Sequence, residues 1–194
     1  MSKIIVIEGP DRVGKATQSL MLKNRLEAAG YTATIVEVPI KTNFAYHIVY
    51  WMLRNGLAKR LPKIFQWFQF FNRQVFQRRE LPTLEAQYDY IIMDRWSLST
   101  TIYGEAAGVP KDFTESLSRR LKKPFHTFIL LGKSHRHKVE DVYEADSDLQ
   151  QRVRKLYGEW ALRYPQENST IDCNRDRLIV SNEIWGLLRN LEVK

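Results

Sequence analysis

The sequence predicts an α/β fold in which a parallel sheet of about five strands is flanked by helices. Two observations predict it. Short apolar runs bounded by turn residues alternate with longer stretches of helical spacing, as expected for strands joined by helical crossovers. Three of those runs lead straight into polar residues, at Gly9-Pro10-Asp11-Arg12, Pro39-Ile40-Lys41 and Asp94-Arg95. Ligands in such sheets sit beyond the carboxyl ends of the strands, so these junctions are where chemistry is expected.

Ile4 to Ile7 reads as a buried strand that ends at Gly9-Pro10. A helix is expected over Thr17 to Ala29, with Leu20, Leu22, Leu26 and Ala29 near helical spacing and Gly30 as its stop. Thr32 to Val38 is rich in strand formers and is closed by Pro39. Tyr90 to Met93 and Thr127 to Leu131 are further apolar runs, Thr170 to Asp172 is a short fifth strand, and Leu178 to Leu191 reads as a closing helix. Ile64 to Phe76 carries Phe65, Trp67, Phe68, Phe70, Phe71 and Phe76. That arc is too wide for one buried stripe. It fits a central core helix, or a core helix that also forms a dimer face or a base-stacking wall.

At 194 residues the chain suits one compact domain. Its 44% hydrophobic and 27% charged residues exclude a disordered class. The net charge of +8 admits nucleic acid, a membrane surface, a small polyanion, or solubility alone. Cys173 is the only cysteine, which excludes an internal disulfide and a cysteine-rich zinc cage. The apolar run at the N-terminus is too short for a signal peptide, and no stretch approaches the ~20 apolar residues of a membrane span. The expected compartment is cytoplasmic, with no membrane partner and no internal repeat.

Gly9-Pro-Asp-Arg-Val-Gly14-Lys15 follows a strand and opens a helix, with two glycines separated by four residues and a lysine directly after the second. This is the Walker A spacing. Glycine lets successive backbone N–H groups curl toward a phosphate, the helix adds its positive end, and Lys15 reaches the β- and γ-phosphates. The fold class is therefore of the P-loop NTPase type. One position departs from the pattern. Ala16 stands where a Ser or Thr hydroxyl would ligate Mg²⁺, and Thr17 lies about 100° further round the helix. If the strand ending at Met93 neighbours the first, Asp94 can hold Mg²⁺ through water and Arg95 can grip a second phosphate; the other reading is a structural Asp–Arg ion pair.

At this point the chain resembles the thymidylate kinase family, and more closely the eukaryotic and poxviral branch that carries arginine inside the P-loop. The resemblance rests on Gly9 to Gln18, on Asp94-Arg95-Trp96-Ser97-Leu98-Ser99 with Tyr103, on Asn72-Arg73, and on Asp141 to Arg152. It runs from Lys3 to about Tyr164. It implies ATP-dependent phosphorylation of a deoxynucleoside monophosphate, dTMP to dTDP, with ATP and Mg²⁺ as cofactors. It also implies a homodimer through the helices around Trp67 and Trp96, and a lid at about 133–143.

Carried over residue by residue, the resemblance implies these roles. Gly9, Asp11, Arg12, Val13, Gly14, Lys15, Ala16 and Thr17, with Arg136 from the lid, would bind ATP. Arg12, Lys15 and Arg95 would be catalytic, Arg12 bridging the γ-phosphoryl and the acceptor phosphate. Asp11 would contact the acceptor's 3′-hydroxyl. Lys41, standing where arginine is usual, would hold the acceptor phosphate with Arg95. Arg73 would read a thymine carbonyl, Tyr103 and Tyr143 would close around the deoxyribose, and Gln69, Ser99 and Gln150 would complete the acceptor site.

The departures touch base specificity more than kinase chemistry. Gln69 replaces the phenylalanine that stacks on thymine, Val38-Pro39-Ile40 replaces Phe-Pro-Glu, and Val142 replaces a lid arginine. His135 and His137, two apart on a loop, make a poor metal site. No general base is required, because the acceptor phosphate oxygen is already anionic. Catalysis then reduces to aligning two polyanions and neutralising the charge that spreads during transfer. Two alternatives stay open: a kinase for a modified pyrimidine nucleotide or a base within DNA, and a P-loop binding module without catalysis.

Overall fold

The computed structural model describes residues 2–133 and 147–192. Five strands form one parallel sheet: β1 (Lys3–Glu8), β2 (Ala33–Glu37), β3 (Tyr90–Asp94), β4 (His126–Leu131) and β5 (Asn168–Asp172). Their spatial order is β2-β3-β1-β4-β5, with β1 paired to β3 (Ile5 opposite Ile92) and to β4 (Val6 opposite Thr127). The register brings Asp94 opposite both Ile7 and Glu37. The β1 loop and the last residues of β2 and β3 thus share one end of the sheet, next to the point where the chain crosses from one side of β1 to the other.

The strands are apolar on both faces because helices cover both. Ile5, Ile7, Ile92 and Phe128 face α1 (Lys15–Ala28) and a closing helix Arg177–Glu192, which supply Leu22, Leu26, Ile184 and Leu188. Ile4, Val6, Ile91 and Met93 face the other way, toward α4 (Pro62–Arg79), α5 (Leu81–Gln87) and Trp96. The remainder of that second layer is α2 (Phe44–Arg54), α3 (Leu57–Arg60), α6 (Ser97–Ala106), α7 (Lys111–Ser118) and α8 (Ser147–Arg163), which leaves the closing helix as α9.

Several expectations are corrected by packing. Helix α1 begins at Lys15 rather than Thr17, because Gly14 at φ 96° lets the chain turn directly into the helix. Leu20 is 53% exposed, and the buried stripe of α1 runs instead through Gln18, Ser19, Leu22 and Leu26. The aromatic segment is core on one side and surface on the other. Phe65, Phe70 and Phe76 are core, while Trp67 lies on the surface stacked on Phe71, whose ring meets that of Phe44 on α2. Trp96, expected near a dimer face, is wholly buried, and its indole N–H donates to the Lys122 carbonyl at 3.0 Å. The expected lid at 133–143 lies, apart from Lys133, outside the described residues.

Candidate active site

Two cavities open at the carboxyl ends of the strands. The larger, ≈ 730 Å³, is lined by Asp11–Gln18 from the loop after β1 and the first turn of α1, by Glu37 and Asp94, and by Arg175 to Arg177 from the turn after β5 and the start of α9. The smaller, ≈ 140 Å³, is lined by Gln66, Gln69 and Arg73 of α4, by Ser99 and Tyr103 of α6, and by Phe65, Leu53, Val38 and Pro39. Asp11 and Arg95 line both.

The loop after β1 fits against the sheet only with glycine at its start. Gly9 has φ 142°, and a Cβ there would fall on the Leu130 carbonyl oxygen and 3.2 Å from its carbon. Two arginines at the site also adopt left-handed backbone, Arg12 at φ 65° and Arg95 at φ 73°. Side chains that accept such strain cluster where function fixes the backbone. Lys15 Nζ donates to the Pro10 carbonyl at 2.7 Å. Burial, aided by the neighbouring Arg95 charge, lowers its pKa to about 8, against the pull of Asp11, Asp94 and Glu8. Burial also raises the Asp94 carboxyl above its ordinary range, opposed by Lys15 and Arg95.

Arg95 is held from two sides. Its Nη1 donates to the Gly9 carbonyl at 3.1 Å and to Ser99 Oγ at 3.3 Å. Its Nη2 donates to Asp11 Oδ1 and, at 3.1 Å, to the Tyr103 hydroxyl. Asp11 Oδ2 accepts from Tyr103 at 2.9 Å and from Gln150 Nε2 at 2.7 Å. Burial alone would push the Asp11 carboxyl upward, but Arg95, Lys15 and these donors outweigh it and hold it below its ordinary value.

Behind this layer sits Glu8, fully buried at the end of β1. Its Oε1 accepts from the backbone N–H of Trp96 at 2.8 Å and of Ser99 at 3.1 Å, which fixes the start of α6. Its Oε2 accepts from Ser99 Oγ at 2.6 Å and from the Tyr157 hydroxyl at 2.7 Å. Four donors explain how a carboxylate stands in the core.

The structure gathers most of the expected residues. Asp11 through Thr17 line the larger cavity, and Ala16 and Thr17 both do so from the first turn of α1. Gly9 contributes its carbonyl rather than a cavity wall. Gln69, Arg73, Arg95, Ser99 and Tyr103 line the smaller cavity, and Gln150 reaches it through Asp11. Arg73 is buried, and its Nη1 donates to the Gln69 carbonyl at 2.9 Å and to Gln69 Oε1 at 3.2 Å. Lys41 is not gathered. Its side chain is 69% exposed and pairs with Glu37 at 3.5 Å, outside both linings, because the turn after Pro39 carries it outward. Asn72 turns away as well, bonded to both backbone groups of Ile40 and to Asn43. Arg136 and Tyr143 lie outside the described residues.

Sequence reasoning missed Glu8, Tyr157, Gln66 and the segment Arg175–Arg177. The rule that ligands sit at strand ends would have found the last, since Asp172 closes β5. Asp94 and Glu37, both on the wall of the larger cavity, supply the hard oxygen ligands that Mg²⁺ prefers, so this donor set fits that ion.

Comparison with known proteins sets this geometry in context. Residues 7–184 match the family model described as Thymidylate kinase. The chain is 28% identical to the probable thymidylate kinase of Thermococcus kodakarensis, over 96% of this chain and 97% of that protein. It is 23% identical to the thymidylate kinase of Schizosaccharomyces pombe, over 98% and 93% respectively. The solved structure of Candida albicans thymidylate kinase superimposes with a TM-score of 0.80 at 21% identity, covering 98% of this chain and 92% of that one, and shares the fold.

Proposed function

The chain belongs to the thymidylate kinase family, and on that premise we propose that its two cavities divide one phosphoryl transfer between donor and acceptor. The reaction is the ATP-dependent phosphorylation of dTMP to dTDP by a nucleoside monophosphate kinase, with nucleotides as its substrates. One observation carries the division of the site: Asp11 and Arg95 line both cavities, so a single guanidinium stands where donor and acceptor phosphates meet.

In this reading the larger cavity takes ATP. The N–H groups from Val13 to Thr17 and the N-terminal end of α1 receive its phosphates, and Lys15 leaves the Pro10 carbonyl to neutralise them. Arg12 bridges the γ-phosphoryl and the acceptor. Asp94, with Glu37 beside it, would hold Mg²⁺ largely through water, and the ion would supply charge neutralisation for the transfer. Ala16 would offer no hydroxyl to the metal, and one more water could take that place. The smaller cavity takes the base and sugar. Arg95 holds the acceptor phosphate, Tyr103 packs by the sugar, Asp11 accepts the 3′-hydroxyl, and Arg73, buried with a pKa lowered to about 10 by desolvation, donates to a base carbonyl. Lys41 plays no direct part.

We assign residues 1–194 to one kinase domain with a lid at about 133–143, working in the cytoplasm. Among the described residues no helix is long and apolar enough to cross a membrane. The aromatic surface of α2 and α4, with Phe44, Trp51 and Trp67 exposed, is the face we assign to a homodimer. Nucleic acid is not a partner in this reading; the basic balance serves polyanionic nucleotides.

The test is a panel of common deoxynucleoside monophosphates with ATP and Mg²⁺, on wild type, Lys15→Ala and Arg95→Ala. dTMP should be the best acceptor, and both variants should lose orders of magnitude in turnover. No turnover with any acceptor, alongside tight ATP binding, would establish the non-catalytic alternative that Ala16 suggests.

A further inference from the structure

We propose that Gln66 is a specificity-determining residue, its carboxamide pairing with the N–H/C=O edge of a 4-oxopyrimidine beside the carbonyl taken by Arg73. The proposal rests on the assignment of the smaller cavity to the acceptor base. Gln66, Gln69 and Arg73 share one face of α4 at i, i+3 and i+7. Gln66 is 1% exposed, lines the cavity, and makes no hydrogen bond among the described residues. Arg73 Nε is likewise buried without a partner. Native interiors rarely leave a buried donor like this Nε unpaired. A buried unpaired donor and a carboxamide without a hydrogen bond on one small cavity point to a polar ligand that completes both.

The stem of Gln66 is fixed from behind. A Cβ on Gly104 would lie 3.2 Å from Gln66 Cγ, so the glycine of α6 makes room for this side chain and limits where its end can go. A carboxamide alone does not choose its base, because by turning over it pairs with a lactam edge or with an amine and a ring nitrogen. Arg73 removes that freedom. A guanidinium only donates, so it accepts a carbonyl neighbour and leaves an exocyclic amine facing a like donor. Gln66 is then set with Oε1 toward the ring N–H and Nε2 toward a carbonyl. Thymine and uracil fit this pattern, and cytosine leaves donors unpaired. Gln69 does not compete for the base edge, since its Oε1 is engaged by Arg73.

Initial-rate kinetics with dTMP, dUMP and dCMP at saturating ATP and Mg²⁺ test the role. Gln66→Met keeps the length and the contact with Gly104. It is expected to raise the KM for dTMP and dUMP about tenfold and to narrow the dTMP-to-dCMP ratio of kcat/KM, with the KM for ATP unchanged. Gln66→Glu, which only accepts when ionised, should move preference further toward dCMP. A Gln66→Met enzyme with wild-type KM and ratio, beside an Arg73→Gln enzyme that loses both, overturns the role of Gln66 and leaves the cavity assignment standing. If neither substitution alters any acceptor parameter, the assignment falls as well. A measurement on wild type needs no variant to fold: N3-methyl-dTMP, which lacks the N–H, should bind at least tenfold more weakly than dTMP, and equal binding overturns the proposal.

Discussion

Replacing Gly9 by alanine should unfold the protein more easily than any other change of one methyl group in the phosphate loop. Two terms add. An L residue held at φ 142° carries strain of roughly 1–3 kcal/mol. The new Cβ also meets the Leu130 carbonyl oxygen, with Leu130 C at 3.2 Å and Val13 Cγ1 at 3.3 Å, so the loop and β4 must separate. Overpacking of this kind costs about 1–3 kcal/mol. The sum is about 4 kcal/mol, and at about 2–4 °C per kcal/mol for a chain of this size the melting temperature should fall by about 8–16 °C. Gly14→Ala is the control. Its φ of 96° brings the same backbone strain, but nothing lies within 4 Å of its Cβ, so it should fall about half as far. Thermal unfolding of the two variants side by side measures the difference. Because the Gly9 carbonyl also anchors Arg95, Gly9→Ala should weaken both substrates, which initial rates would show. Equal melting losses for the two variants would refute the argument, since the contact with β4 would then contribute nothing.

The remaining predictions concern charge and metal. Lys15 titrates at about 8 in the free protein, below the ordinary lysine value of about 10.4. The folded chain therefore binds fewer protons than the unfolded one between these values, so stability should rise with pH across that window, and the burial cost is fully present below it. ATP needs the charged form, so its binding at pH 8 should take up about half a proton, against almost none near pH 6.5; calorimetry in two buffers of different ionisation heat reads this, and no uptake at pH 8 would count against Lys15 meeting the phosphates. Arg12→Gly relieves a left-handed residue, so it should leave the melting temperature equal or higher while turnover falls about 10³-fold or more; near-normal turnover removes Arg12 from catalysis. Ala16→Ser should lower the Mg²⁺ concentration for half-maximal rate without reducing turnover, and an unchanged Mg²⁺ dependence would mean that position 16 does not face the metal.

The fold was legible because its signals are local. Each strand is an apolar run that helices bury on both faces, and Gly9 with Gly14 marks a loop that only glycine can shape. Residues close together in sequence, such as Arg95, Ser99 and Tyr103, share the lining of the smaller cavity for the same reason. What escaped depends on contacts distant in sequence. Glu8 looks like the polar end of a strand, and only the folded chain brings Tyr157 to it across 149 residues. Leu20 has helical spacing yet faces solvent, since the stripe on α1 is set by where α9 packs. Lys41 carries the right charge at the right strand end, but the path of the turn, pinned by Asn72 to Ile40, decides its direction. Gln66 has no signal at all until α6 closes over it.

The ion pair between Asp11 and Arg95 makes occupation of the site an exchange of anions rather than the filling of a bare positive hole. Arg95 already has a counterion of one negative charge, so a weakly bound monoanion gains little by displacing it. A phosphate monoester carries nearly two charges at neutral pH and three acceptor oxygens, and can outbid the carboxylate. Once displaced, Asp11 keeps Tyr103 and Gln150 on Oδ2 but has Oδ1 open, and a sugar hydroxyl supplies a donor there. Phosphate and hydroxyl are thereby recognised in succession by one swap. A nucleoside that lacks the phosphate cannot free the carboxylate, and an inorganic phosphate that lacks the hydroxyl leaves its Oδ1 without a donor.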